Sequence, residues 1–236
     1  MVRLILISTG AALILTAALS LPGDSAVPAI AQCNPNRPND AIDYYDGWQR
    51  GLGSDIGGIY SQIFNYSPYV STSGFSTQYV KLKASSLSNL EASLGWRQYD
   101  TARLTWGQYR LSSTSSLAFF TAPAQPLYTW TYYTVWYDRK YPGKLTFQVN
   151  GSTIATRTNV QWVPRYSDAF GQITTQANQM PGGYADLSEF WDTHLWFNGS
   201  FKAYQGSQYS SDWNKFGNVL DGGSYNLSIW DFACAY

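Results

Sequence analysis

Histidine, cysteine and glutamate are nearly absent from this chain, and each scarcity closes a class of chemistry. The one histidine, His194, would have to serve any Ser-His-Asp relay, and no G-x-S-x-G elbow accompanies it. A histidine-based zinc site lacks ligands, and the two cysteines, Cys33 and Cys234, form no Cys-x-x-Cys. Neither G-x-G-x-x-G nor a P-loop occurs. Lys+Arg and Asp+Glu balance at 15 each, with no basic patch, so no nucleic-acid partner is expected. No metal and no cofactor is expected either. Hydrolysis by such a chain would have to run on carboxylates and amides, and only Glu91 and Glu189 are glutamates.

Aromatics and glycine are what the chain has in quantity: 10 Trp, 19 Tyr, 11 Phe and 20 Gly among 236 residues. With its many Ser and Thr, this is a turn-rich, all-β composition. The start is different. Arg3 precedes the apolar run "LILISTGAALILTAALSL", and "AIA" closes at Ala31. That pattern predicts a secretory signal peptide over 1–31, with Gln32 as the first mature residue; an uncleaved anchor is the alternative. A secreted, extracellular protein without stable membrane insertion is the expectation. Cys33 and Cys234 bracket the mature chain, and in an oxidising compartment they are expected to pair.

Alternation dominates the rest. In "NLEASLGWRQY", Leu90, Ala92, Leu94 and Trp96 form one face, and Glu91, Ser93, Gly95 and Arg97 the other. "FSTQYVKLKA", "RLTWGQYRL", "LAFFTA", "LYTWTYYTVWYD", "AFGQITTQANQ", "EFWDTHLWFNG" and "SYNLSIWDFACAY" predict further strands, ten to twelve in all. "KLTFQVNGSTIATRT" is a hairpin, because Asn150-Gly151 suits a type I′ turn. "YDGWQRGLGSDIGGIY" reads as loop running into a strand. The expected fold is an antiparallel jelly-roll (concanavalin-like) β-sandwich in a single domain, with 32–74 supplying an N-terminal segment, loop and first strands and 75–236 the core.

"NLEASLGWRQYDTARLTWGQYRL", "FGQITTQANQMPGG" and "ADLSEFWDTHLWFNG" together resemble neprosin-type peptidases, relatives of the glutamic peptidases, over about Gln78 to Asn198. The resemblance implies an acid peptidase in which a carboxylate activates water and a partner amide or carboxyl stabilises the oxyanion. The chain departs from that pattern at both places. Gln172 stands where the family has its second Glu, and Ser93 falls on the first Glu position, with Glu91 two residues away. A swapped Glu91–Gln172 pair is one expectation; a degenerate groove that binds peptide or glycan with little or no catalysis is the other. A laminin-G-like or legume-lectin-like sugar binder would share the fold and the hairpin.

If "GQITTQANQ" is a strand, Gln172, Thr174 and Gln176 share one face and would floor the groove with Ser93. His194 and Asp192 alternate on one face of the next strand and are further groove candidates. Tyr132, Trp136 or Tyr184 would be the rings that stack on a ligand. A monomer is expected, with an extracellular peptide, protein or glycan as partner.

Overall fold

The structure is a computed structural model and describes residues 33–52, 54–138, 143–183, 187–220 and 225–234. The apolar leader and Tyr184 lie outside the described residues. Among the described residues, no helix is long and apolar enough to cross a membrane.

Two antiparallel sheets make a sandwich. The first runs β13(Ser207–Ser210), β1(Tyr44–Gly51), β10(Tyr166–Ile173), β3(Ser76–Lys83), β4(Glu91–Gln98), β5(Arg103–Tyr109), β6(Ala118–Ala122). The second runs β14(Phe216–Leu220), β15(Leu227–Asp231), β11(Ser188–Phe197), β2(Gly58–Phe64), β7(Trp130–Asp138), β8(Lys144–Val149), β9(Ser152–Arg157), with β12(Ser200–Ala203) paired to β11. Among the described residues fifteen strands stand where ten to twelve were expected, because Tyr44–Gly51 is a strand and three short strands, β12, β13 and β14, lie between Phe197 and Leu227.

The apolar faces meet between the sheets. Trp48, Val80, Leu82, Leu94 and Trp96 from one side pack with Ile59, Ile63, Tyr133, Val135, Phe147 and Leu195 from the other. Each such side chain contributes roughly 1.5–3 kcal/mol relative to exposure. Leu90, Ala92, Leu94 and Trp96 do face this core, as the alternation requires. Asn150 (φ 49°) and Gly151 (φ 77°) form the expected two-residue turn between β8 and β9.

Two expectations are corrected. "YDGWQRG" is a strand rather than a loop: a Cβ on Gly47 would lie 2.2 Å from the Ala169 carbonyl oxygen, so this glycine answers to a crowded neighbouring strand rather than to a turn. The amide-rich stretch is a strand only to Ile173. Beyond it Thr174 and Gln176 do not continue the face of Gln172. Thr174 Oγ1 accepts from Phe75 N (2.9 Å), and Gln176 Nε2 donates to Asp40 Oδ2 (3.0 Å). Asn178 Oδ1 accepts from Ser71 N, and Gln179 Oε1 from Tyr69 N, both at 2.8 Å. The neutral amides pin loops because a buried loop needs partners for its backbone.

The two ends of the described chain are tied together. Cys33 and Cys234 are disulfide-bonded across a sequence separation of 201. The Arg37 guanidinium clamps both carboxylate oxygens of the buried Asp231.

Candidate functional site

Strand registers put the outer face of the seven-stranded sheet into rows. One row reads Gln49–Asp168–Lys81–Ser93–Gln108–Phe119. On one side of it lies Gly47–Phe170–Tyr79–Gly95–Trp106, and on the other Gly51–Tyr166–Lys83–Glu91. The side chains of Tyr45, Gln49, Tyr79, Lys81, Lys83, Asp168, Phe170 and Tyr209 line a cavity of about 240 Å³ on this face.

The cavity is a charged floor with aromatic walls. Lys81 Nζ lies 3.1 Å from Glu91 Oε2, and Lys83 Nζ lies 3.9 Å from Asp168 Oδ2. Gln108 Nε2 donates to Glu91 Oε1. The Lys81 ammonium also sits 4.8 Å from the Tyr79 ring centre. Burial pushes the Asp168 carboxyl up to about 6; the ammonium groups of Lys81 and Lys83 oppose that rise, and Glu91 adds to it. Three buried polar atoms here have no hydrogen-bond partner among the described residues: Asp168 Oδ1, Tyr79 Oη and Ser93 Oγ.

This arrangement separates the expected pair. Gln172 is level with Thr77 and Glu91 with Lys83 on the intervening strand. Those rows are six positions apart, so Glu91 and Gln172 stand about 20 Å apart along the strands and cannot act on one water. Glu91 is instead held in an ion pair, and Gln172, 9% exposed, reaches the Tyr45 hydroxyl at 3.4 Å. Ser93 lies in the cavity row, but about 13 Å along the strands from the level of Gln172.

His194 and Asp192 are not in this groove at all. They belong to β11, on the outer face of the other sheet, where His194 Nδ1 lies 3.3 Å from Asp192 Oδ1. The His194 ring stacks on Tyr60 (5.1 Å between centres, 18° between planes). Tyr132 and Trp136 also line a pocket on that face.

Asp168 is the functional candidate that the sequence reading missed. Its signal was present: "YSDAF" puts an acid on the face of its strand that also carries Gln172, and "YVKLK" puts Lys81 and Lys83 on the outer face of the neighbouring strand. Only the β10–β3 register reveals that they meet. Among the described residues no three His, Cys, Asp or Glu side chains converge as metal ligands would.

No protein-family model matches the chain, and no curated protein matches it in sequence. Solved structures do. Scytalido-glutamic peptidase with a transition-state analogue inhibitor superposes with a TM-score of 0.61 at 13% identity, covering 82% of this chain and 100% of that one. SCP-B, a member of the eqolisin family of peptidases in complex with the tripeptide Ala-Ile-His, superposes at 0.59 with 12% identity and the same coverage. At such identity the likeness establishes a shared architecture: the chain has the two-sheet fold of the glutamic peptidases.

Proposed function

We propose that this is an exported peptide-binding protein that takes an extended polypeptide segment along the outer face of its seven-stranded sheet, acting as a monomer. The observation that carries the reading is an open cavity of about 240 Å³ in which Gln49, Lys81 and Lys83 lie between the rings of Tyr45, Tyr79, Phe170 and Tyr209. A peptide suits that floor: its carbonyl oxygens would accept from the Lys81 and Lys83 ammonium groups, and its N–H groups would donate to the Gln49 amide oxygen. Tyr45, Phe170 and Tyr209 supply apolar contact beside it. Solved sandwiches of the same fold hold a tripeptide or a peptide-based transition-state analogue, which supports the ligand class. The disulfide fits an oxidising compartment, and the leader pattern fits export.

One observation favours a second reading, peptide hydrolysis. A carboxyl that titrates near 6 can take a proton from water in the weakly acid range, and Asp168 is such a carboxyl. Gln49 stands beside it in the row and supplies an amide, but the Asp168 carboxyl is only 3% exposed and faces the Lys83 ammonium at 3.9 Å, so binding without turnover is the better supported of the two. The experiment is to pass a random peptide library over immobilised protein at pH 4 to 7 and to look for cleavage of the same library by mass spectrometry. Capture that falls at least tenfold in Lys81→Ala and Gln49→Ala, with the library intact, supports the binding groove. Cleavage abolished by Asp168→Asn replaces it with the hydrolase. Capture indifferent to all three variants removes both.

A further inference from the structure

The opposite face of the sandwich carries a second, unrelated pocket. It has a volume of about 540 Å³, more than twice that of the charged groove. Its walls are rings: Tyr60, Tyr132, Trp136 and Phe201. These rings are tilted against one another, Tyr60 to Phe201 by 72° at 4.9 Å and Trp136 to Phe201 by 51° at 5.6 Å. Tyr132 and Phe201 stay 37% and 41% exposed, where a core would have buried them. A contiguous exposed aromatic surface of this kind marks an interaction site.

Three polar groups converge on the rings: the Asp192 carboxylate, the Gln148 amide and the Thr134 hydroxyl. Asp192 is placed there by a β-bulge. The pairing of β11 with β2 slips between Trp191 and His194, and Asp192 takes φ 53°, in the left-handed region that side-chain-bearing residues avoid. The surrounding bonds hold this conformation. Asn226 Oδ1 accepts from Asp192 N (3.0 Å), Thr193 N donates to Tyr225 O (3.0 Å), and the buried Thr193 and Ser61 hydroxyls meet at 2.7 Å. The outcome is a carboxylate aimed into the pocket, with Tyr132 Oη donating to it at 3.4 Å.

We propose that this pocket binds a neutral glycan. Sugar rings would stack their C–H faces on Trp136 and Tyr132 while their hydroxyls bond Asp192, Gln148 and Thr134. Hydroxyl groups need both donors and acceptors, which the amide and the threonine supply together. Asp192 is shared with His194, so the pocket is not simply an anionic trap for a cation. The aromatic surface also continues past Tyr132 to Trp130 and Trp191, 6.1 Å apart and 38% and 43% exposed. Trp130 and Trp136 sit six residues apart on the same face of β7, a span of about 20 Å. That length suits several linked rings and exceeds one sugar.

The test is electrophoresis of the purified protein through native gels cast with xylan, glucomannan, galactomannan or mixed-linkage β-glucan, followed by calorimetric titration with an oligosaccharide of any polymer that retards it. Retardation in at least one gel is expected. Trp136→Ala should weaken the titrated affinity at least tenfold. Gln148→Ala, at a half-buried surface position that the fold does not need, should weaken it several-fold. Lys81→Ala, in the groove of the other sheet, should leave it unchanged, so this result stands whatever becomes of the peptide groove. Free migration in all four gels overturns the proposal. So does retardation that survives both Trp136→Ala and Gln148→Ala. Binding of tetramethylammonium with no polysaccharide binding would assign the rings to an aromatic cation cage and overturn it as well.

Discussion

Asp168 and Lys81 stand opposite each other between β10 and β3, yet the nearest carboxylate to the Lys81 ammonium is Glu91, at 3.1 Å. Asp168 is left 3% exposed, with one carboxyl oxygen unpartnered among the described residues. Burial outweighs the two lysines and lifts the carboxyl to about 6. Lys81→Met removes one of the charges that holds this value down. The Asp168 midpoint, followed by carboxyl ¹³C shifts against pH, should lie near 6 in the native protein and rise further in the variant. A midpoint that falls in Lys81→Met would mean that Lys81 does not act on Asp168.

Stability should be greatest in mild acid. Burial lifts the carboxyl of Asp46, fully enclosed between β1, β13 and β14, to about 7, despite the bond from Asn218 Nδ2 at 2.6 Å; Asp231 is raised by its burial too, and its clamp with Arg37 opposes this. A carboxyl with a folded-state value above its unfolded 3.8 binds more protons folded than unfolded across that interval. Its contribution is therefore complete below about pH 4 and is lost as pH rises toward 7 for Asp46 and toward 6 for Asp168. Asp40 and Asp212 are lowered and act in the opposite sense, but both are half-buried carboxyls at the surface and screening keeps them minor. The melting temperature should fall between pH 5 and pH 8, and Asp46→Asn, which mimics the protonated acid, should flatten that fall by on the order of a few kcal/mol. A profile that rises toward pH 8, unchanged in Asp46→Asn, would contradict this.

The disulfide and the Arg37–Asp231 clamp hold the same N-terminal arm, so their losses should not add. Closing a loop of this length stabilises by up to about 5 kcal/mol in the chain-entropy model. Arg37→Ala alone leaves the Asp231 carboxylate buried without its countercharge, which costs about 3–5 kcal/mol. Once reduction frees the arm, Arg37 holds its position less firmly and Arg37→Ala should cost less. Urea titrations of both proteins, oxidised and reduced, form a cycle whose coupling should exceed about 0.5 kcal/mol. Strict additivity would show that the arm docks through the clamp alone.

Much of the architecture was legible because it is local. Period-two alternation placed Leu90 to Trp96 correctly, and Asn150-Gly151 announced its hairpin. The candidate site was less legible because it depends on register, which is a relation between distant segments. Asp168 and Lys81 are 87 positions apart in the sequence, and nothing local states that they face each other. His194 and Asp192 were placed with Ser93 because both strands alternate, but alternation says which face a residue takes and never which sheet its strand joins. Asp192 adds a further difficulty: a bulge shifts the pairing within the run that looked regular. Tyr132 and Trp136 were singled out as stacking rings, and they do line a pocket, on the outer face of the eight-stranded sheet.

The amides of "GQITTQANQMPGG" divide into one outlier and several anchors, and this gives the last prediction. Gln179 is fully buried and serves the Tyr69 and Cys33 N–H groups with its oxygen and the Tyr66 hydroxyl and Gly182 carbonyl with its nitrogen. Truncation strands the buried members of that set without partners. Gln179→Ala should therefore cost about 3 kcal/mol in urea unfolding, since each unsatisfied buried group costs about 1–3 kcal/mol. Among the described residues the Gln172 side chain makes one long hydrogen bond, to Tyr45 at the edge of the charged groove. Gln172→Ala should cost less than about 1 kcal/mol, as substitutions away from buried networks do. It should also leave peptide capture nearly intact, because Gln172 lies about 13 Å along the strands from the level of Asp168 and Lys81. If Gln172→Ala unfolds the protein as readily as Gln179→Ala, or abolishes capture, then the functional centre lies at the Gln172 end of the sheet and the assignment to Asp168 is wrong.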